Sequence, residues 1–213
     1  MGDDTPTTRA RVRNRRGEGG RLRDEIVEAA VELLDESGDE SAITLRSVAR
    51  RVGIAAPSIY RHFPDQPAIM LAVVRSAFAE LDERLSTAVD AGGEAPRGRL
   101  MALCESYLRF AQDHPGRYRT MFGGLWMPDL SESSVTEEDM VALGQASMRR
   151  LAEALEGCVA AGCSSSTDVS ADAVALWLGL HGLAHQRAVS PSFAWPPGIA
   201  ARVITSLAHL TEE

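Results

Sequence analysis

Apolar residues recur at helical spacing through most of the chain. Leu22, Ile26, Ala29, Ala30, Leu33 and Leu34 share one face of a first helix, and Asp24, Glu25, Glu28 and Glu32 take the other positions. Acids in its first turn suit the helix dipole, and Gly38 is the expected stop. Thr44 is placed to cap a second, short helix whose apolar face is Leu45, Val48, Ala49 and Val52. Gly53 breaks it. A third helix is predicted from Ala56 and Pro57, since proline is tolerated in a first turn. In it Ile59 and Phe63, four apart, face inward, and Pro64 ends it. Longer helices are predicted over 66–89, 97–113, 115–122, 137–161, 168–189 and 197–210. The breaks fall at Gly92 and Gly93, at Pro115, and over 123–136, 163–167 and 190–197. No run alternates with period two strongly enough to make a strand. The expected fold class is all-α, a three-helix N-terminal module followed by a larger helical bundle.

Composition narrows the class. With 213 residues, 45% hydrophobic and 24% charged, the chain can bury a sizeable core without staples. No apolar run approaches the roughly 18–20 residues of a membrane span. The polar, arginine-rich start lacks a signal-peptide stretch, so a cytoplasmic, nucleoid-associated location is expected. Cys104, Cys158 and Cys163 are odd in number and show no CxxC spacing, which argues against a disulfide framework and a zinc module. They read as small buried side chains, with redox sensing by Cys158 and Cys163 as the alternative.

The net charge of −8 disfavours a nucleic-acid partner until its distribution is read. Residues 1–62 hold 11 arginines and 11 acids, and the excess of acid lies entirely beyond them. Between Ser41 and Pro64 there is no acid, while Arg46, Arg50, Arg51 and Arg61 are present. A locally basic end on an acidic protein fits contact with phosphates.

The stretch VGIAAPSIYRHF, residues 52–63, gives that end a chemistry. A helix that reads DNA is anchored by a few apolar residues and small or polar on its outer face, so that its N-terminus approaches base edges. Ala56 and Pro57 can touch thymine methyls and Ser58 can hydrogen-bond several bases. Tyr60 and Arg61 are long enough for phosphate or base, and Arg61 can grip guanine bidentately. The plain alternative is an αα-hairpin with a solvated face.

From about Leu22 to Leu71 the chain resembles the DNA-binding domain of TetR/AcrR-family regulators. The resemblance is carried by the first-helix core, Thr44, Val48, Ala49, Gly53, the run from Ile59 to Phe63, and Ile69. It implies a third helix in the major groove, with Ala56, Pro57, Ser58, Tyr60 and Arg61 facing DNA. It also implies that Thr44, Tyr60 and His62 meet phosphates, beside Arg46 and Gln66. Two departures stand out. The family often has serine where this chain has Ala55, so the third helix loses a side-chain cap. It usually has lysine near 66, where Gln66 brings no charge. The arm from Arg9 to Arg23 can compensate along the backbone or in a minor groove; otherwise it is a solvated tail. The implied organisation is a disordered arm over 1–20, a helix-turn-helix domain over 21–67, and a ligand-binding and dimerisation domain over 68–213.

The C-terminal half says less. ALWLGLHGLAH, residues 175–185, and HPGRYRTMF, residues 114–122, resemble the Trp-His-Gly subgroup of the same family. Gly179, Gly182, Ala184 and Ala188 let helices approach closely, with Trp177, Leu178 and Leu183 filling the seam. The family's last two helices pair two subunits, which implies a homodimer on a palindromic double-stranded operator. Met101, Cys104, Tyr107, Leu108, Met121, Phe122, Trp126, Trp177 and His181 are the candidates for an effector pocket, or a plain core. Trp126, in an expected loop, could gate it. His181 and His185 stand four apart, a metal-compatible spacing, although helix packing is the favoured reading and no metal or other cofactor is expected. A small enzyme using His181 or Glu105 finds no nucleophile motif or phosphate loop in its support. A ligand-independent DNA-organising protein would share the helix-turn-helix but lack a usable cavity. The favoured reading is a repressor released by an unidentified small molecule, with no membrane partner.

Overall fold

A computed structural model describes residues 19–124 and 126–211. Most of the arginine-rich arm, including Arg9 to Arg16, lies outside the described residues. Among those described, the chain forms ten α-helices and one 3₁₀ turn, with no sheet beyond an isolated antiparallel bridge between Ser164 and Leu210.

The first helix, α1 (Gly19–Ser37), begins three residues before Leu22, so its first turn contains no acid and the expected dipole support is absent there. Gly38 ends it at a φ of 64°, its N–H on the Leu34 carbonyl. The cap on α2 (Leu45–Val52) is reciprocal. Ser47 N–H donates to Thr44 Oγ1 at 3.0 Å, and Thr44 N–H donates to Ser47 Oγ at 2.9 Å. Two first-turn donors are thereby satisfied at once. Gly53 closes α2 in the left-handed region, φ 73°.

The third helix, α3 (Ala56–Ile59), is shorter than its apolar spacing predicts. Ala55 supplies no side-chain cap and Pro57 has no N–H to give. The chain continues to Phe63 as hydrogen-bonded turn, with His62 and Phe63 N–H both on the Ile59 carbonyl at 2.9 Å.

One helix joins two hydrophobic clusters. In α4 (Gln66–Ala91), Ile69, Met70 and Val73 pack with Ile26, Leu34, Val48, Ile59 and Phe63. Two turns on, Leu81 and Leu85 enter the other cluster. There they meet Leu100, Leu103 and Phe110 of α5 (Pro96–Asp113), Leu155 further along, and Leu176 and Leu180 of α9 (Val169–Val189). Each such side chain, taken fully from water, contributes about 1.5–3 kcal/mol.

The predicted helix over 137–161 is two helices, α7 (Glu137–Val141) and α8 (Gln145–Ala160). The break is at Gly144, φ 74°, where a Cβ would lie 2.9 Å from Cε1 of Phe78. The last predicted helix is trimmed to α10 (Ile199–Leu207), entered through Gly198 at φ 74°. The chain then folds back, Ser165 N–H donating to the His209 carbonyl and Thr211 N–H to that of Cys163.

Polar ties cross the joint between the clusters. Arg117, on α6 (Pro115–Phe122), reaches Asp35 of α1 with Nε at 2.9 Å from Oδ1 and also grips Glu80 of α4. Asp65 divides its carboxylate. Oδ1 caps α4 through Ala68 N–H and Oδ2 accepts from Ser134 N–H in the loop before α7, both at 2.8 Å.

Candidate nucleic-acid interface and effector cavity

Burial of Ile59 and Phe63, at 0% and 1% exposure, fixes which side of 44–63 faces outward. Thr44, Arg46, Arg50, Pro57, Tyr60, Arg61 and Gln66 are exposed, and Ala56, Ser58 and His62 are half-buried. The segment thus presents small side chains from its one-turn helix, flanked by arginines and a phenol. Arg51 does not belong to this cationic set. It bonds Glu36 and Glu32 of α1, and these pairs hold its guanidinium pKa above the ordinary value. Counting charge along the chain missed this because the acids lie on another helix. Among the described residues, Arg46, Arg50 and Arg61 engage no carboxylate. Gln66 is partly committed, since its amide nitrogen donates to the Ile43 carbonyl at 2.8 Å and one N–H is left over. Arg23, the inner end of the arginine arm, stacks its guanidinium 4.8 Å from the Phe63 ring centre.

The second site is a cavity of about 310 Å³ among α4, α5, α6, α8 and α9, bordered by the turn at Gly144. Its wall is largely apolar: Phe78, Leu81, Leu85, Leu103, Tyr107, Phe122, Leu143, Met148, Leu151, Trp177 and Leu180, with Gly144, Gln145 and Ser147 at one side. Tyr107, Phe122 and Trp177 are the sequence candidates that reach it. The others are placed elsewhere. Cys104 and Leu108 are buried in the core, and Met101 and Met121 pack partly buried against it. Trp126 lies on the N-terminal cluster instead, away from the cavity wall.

His181 sits behind the wall. Its Nδ1 is 2.8 Å from the Tyr118 hydroxyl, which is 3.0 Å from that of Tyr107, so the three form a hydrogen-bonded chain. Burial, with a smaller push from His185, lowers the His181 pKa and favours the neutral ring. Burial likewise raises the Tyr118 phenol to about 12 and Tyr107 further. Burial also raises the Cys104 thiol and, with Cys163 beside it, lifts Cys158 to about 12. Raised thiols stay protonated and poorly nucleophilic, which supports the reading of these cysteines as packing groups.

With both surfaces in view, the comparisons identify the chain. A profile described as "Bacterial regulatory proteins, tetR family" matches residues 26–73, and one described as "Tetracyclin repressor-like, C-terminal domain" matches residues 100–210. The chain belongs to the TetR family. It is a DNA-binding transcriptional regulator, and the exposed face of 44–63 lies inside the first match. Likeness of fold to solved structures extends over most of the chain. A structure of a protein of unknown function from Rhodococcus sp. RHA1 superposes with a TM-score of 0.72 at 26% identity, covering 92% of this chain and 95% of that one. A tetR-family regulatory protein from Rhodococcus RHA1 shares the fold at a TM-score of 0.63 and 19% identity, covering 90% and 99%. Among curated proteins, the nucleoid occlusion factor SlmA of Aliivibrio fischeri (strain MJ11) is 28% identical over 101 residues, 47% of this chain. The chain spans about half the length of the curated relatives it matches. No helix of the described residues is long and apolar enough to cross a membrane.

Proposed function

We propose that this TetR-family regulator is a repressor that binds a palindromic operator as a homodimer and is released when a small molecule fills the cavity. The observation that carries the reading is the run of α4 from one working surface to the other. Its first turns are packed under the 44–63 face, and Phe78, Leu81 and Leu85 form the cavity wall. A ligand that displaced those side chains would tilt the base on which the DNA-facing segment rests.

In this reading the DNA-binding domain spans 21–67 and the effector and dimer domain 68–213. Ala56, Pro57, Ser58 and Arg61 approach bases, while Thr44, Arg46, Tyr60, His62 and the free N–H of Gln66 hold phosphates. Pairing of two chains is supported by a stripe on α9. Val174, Leu178, Gly182, His185 and Val189 recur at helical spacing and are exposed, Leu178 by 54% and Val189 by 58%. Gly179, by contrast, is occupied within the subunit, because a Cβ there would lie 2.3 Å from Leu207 Cδ1. The Trp-His-Gly likeness covers this same helix.

The test is selection of genomic fragments by the purified chain, followed by affinity measurement with Arg61→Ala. An inverted repeat with half-sites roughly 34–36 Å apart is expected. The variant should lose about 1–3 kcal/mol and relax specificity at one base pair. Binding no tighter than to random duplex at physiological salt would sink the repressor reading. Specific binding that no small molecule relieves would favour a ligand-independent, DNA-organising role.

A further inference from the structure

Resting on the reading of the cavity as the effector site, the chemistry of its wall specifies the occupant. An apolar cavity of about 150 Å³ holds one benzene ring, so about 310 Å³ is room for a two-ring molecule. The rings already present set the shape. Phe78 meets Phe122 edge-to-face at 5.5 Å, Tyr107 lies 6.2 Å and Trp177 6.3 Å from the same Phe122 ring. Such a group offers edges and faces to another flat aromatic system.

The wall carries no charged side chain. Neighbouring cations are already engaged, Arg75 with Asp139 and Arg150 with Asp82. A carboxylate or phosphate entering the cavity would lose its water and gain no counter-ion, which strongly disfavours it. A cation would meet the π faces but no acid.

The polar side chains of the wall are those of Tyr107, Ser147 and Gln145, the last exposed to solvent. The Tyr107 hydroxyl is held by Tyr118. The Ser147 Oγ is buried and has no hydrogen-bond partner among the described residues. A serine hydroxyl turns about a single bond, and a buried one left unpaired is costly. Rotation of the side chain about Cα–Cβ would bring that hydroxyl out to a ligand hydroxyl or carbonyl in the cavity, and the bond formed would relieve the cost.

We propose that the effector is an uncharged, two-ring aromatic compound carrying one hydrogen-bonding group, which pairs with Ser147. The same wall offers the headgroup of a fatty acid or other anionic lipid no counter-ion, which disfavours such ligands.

Calorimetric titration of the full chain with 2-naphthol, naphthalene, 2-naphthoate and decanoate tests this, with Trp177 fluorescence as a second readout. At pH 7.5, 2-naphthol is expected to bind at least tenfold more tightly than either anion and about five- to tenfold more tightly than naphthalene. In Ser147→Ala the preference for naphthol over naphthalene should disappear, and Leu143→Trp, which enlarges a side chain of the wall, should abolish binding of both. Anions binding as well as naphthol, an unchanged preference in Ser147→Ala, or no binding of any neutral probe to the wild-type chain would overturn the proposal. Operator release, followed by anisotropy of a labelled fragment, separates this from the repressor reading. Naphthol binding without release leaves the wall chemistry standing and overturns ligand-released repression. Anion binding with release does the reverse.

Discussion

The two candidate surfaces are built on opposite plans. The candidate DNA-facing segment, 44–63, is contiguous: about twenty residues supply cap, turn, anchor and outward face, and the cap and turns are fixed by near neighbours in sequence. The cavity is assembled from Phe78, Tyr107, Phe122, Ser147 and Trp177, on five helices, and none of these is a neighbour of another along the chain. A contiguous surface fails as a unit when its anchor is lost. An assembled one changes shape when any wall shifts.

The largest effect is expected at the anchor. Ile59→Ala removes a fully buried side chain from beneath the DNA-facing turn and should cost about 2–5 kcal/mol. Urea unfolding gives the total. Hydrogen exchange then tells whether the loss stays within the N-terminal cluster or spreads along α4. Spread into Leu100 and Phe110 would show that the surfaces are one cooperative unit and weaken the contrast drawn above.

A smaller cost is expected at the break in the cavity wall. Gly144→Ala places a side chain at φ 74° and within 2.9 Å of Phe78, for about 1–3 kcal/mol. Thermal unfolding should register it while affinity for operator DNA in the absence of ligand stays within twofold, since the substitution lies far from 44–63. An equal loss of DNA affinity would mean that the wall shapes the reading surface even when empty.

The mildest change comes from pH. The pKa of His181 is lowered in the folded chain from an ordinary 6.5, so the unfolded chain takes up its proton first on acidification. Stability is expected to be at its full value above about pH 6.5 and to decline as the pH falls toward the lowered folded value. Denaturant midpoints between pH 7.5 and 5, compared in wild type and His181→Gln, isolate the contribution. A decline of the same size in the variant would assign it to other groups.

The difference in plan also explains what the sequence revealed. Thr44, Gly53, Ile59 and Phe63 were legible because helix caps, left-handed turns and i,i+4 faces are local rules. The pairing of Arg51, counted only as part of an acid-free stretch, was not legible because Glu32 and Glu36 meet it only after α1 and α2 pack. The break at Gly144 was invisible for a related reason. Its flanks have helical periodicity, and the ring that forbids a side chain there belongs to Phe78, far upstream. Three of the pocket candidates reached the wall because aromatic residues near α6 and α9 were a fair guess, whereas Ser147 and Gly144 carry no local mark of a cavity. Trp126, a candidate for the pocket or its gate, is instead laid by its loop against the N-terminal cluster.

Asp65 gives each of its two oxygens to a different stretch of backbone. Asparagine there would keep one acceptor and turn a donor toward the second amide, and glutamate would overshoot. The walls of an oily chamber can trade one hydrocarbon for another, and an outward-facing arginine can be exchanged without disturbing anything beneath it. This short acid has neither latitude. A tight constraint on variation then falls on the knot tying the start of α4 to the loop before α7, outside both candidate surfaces.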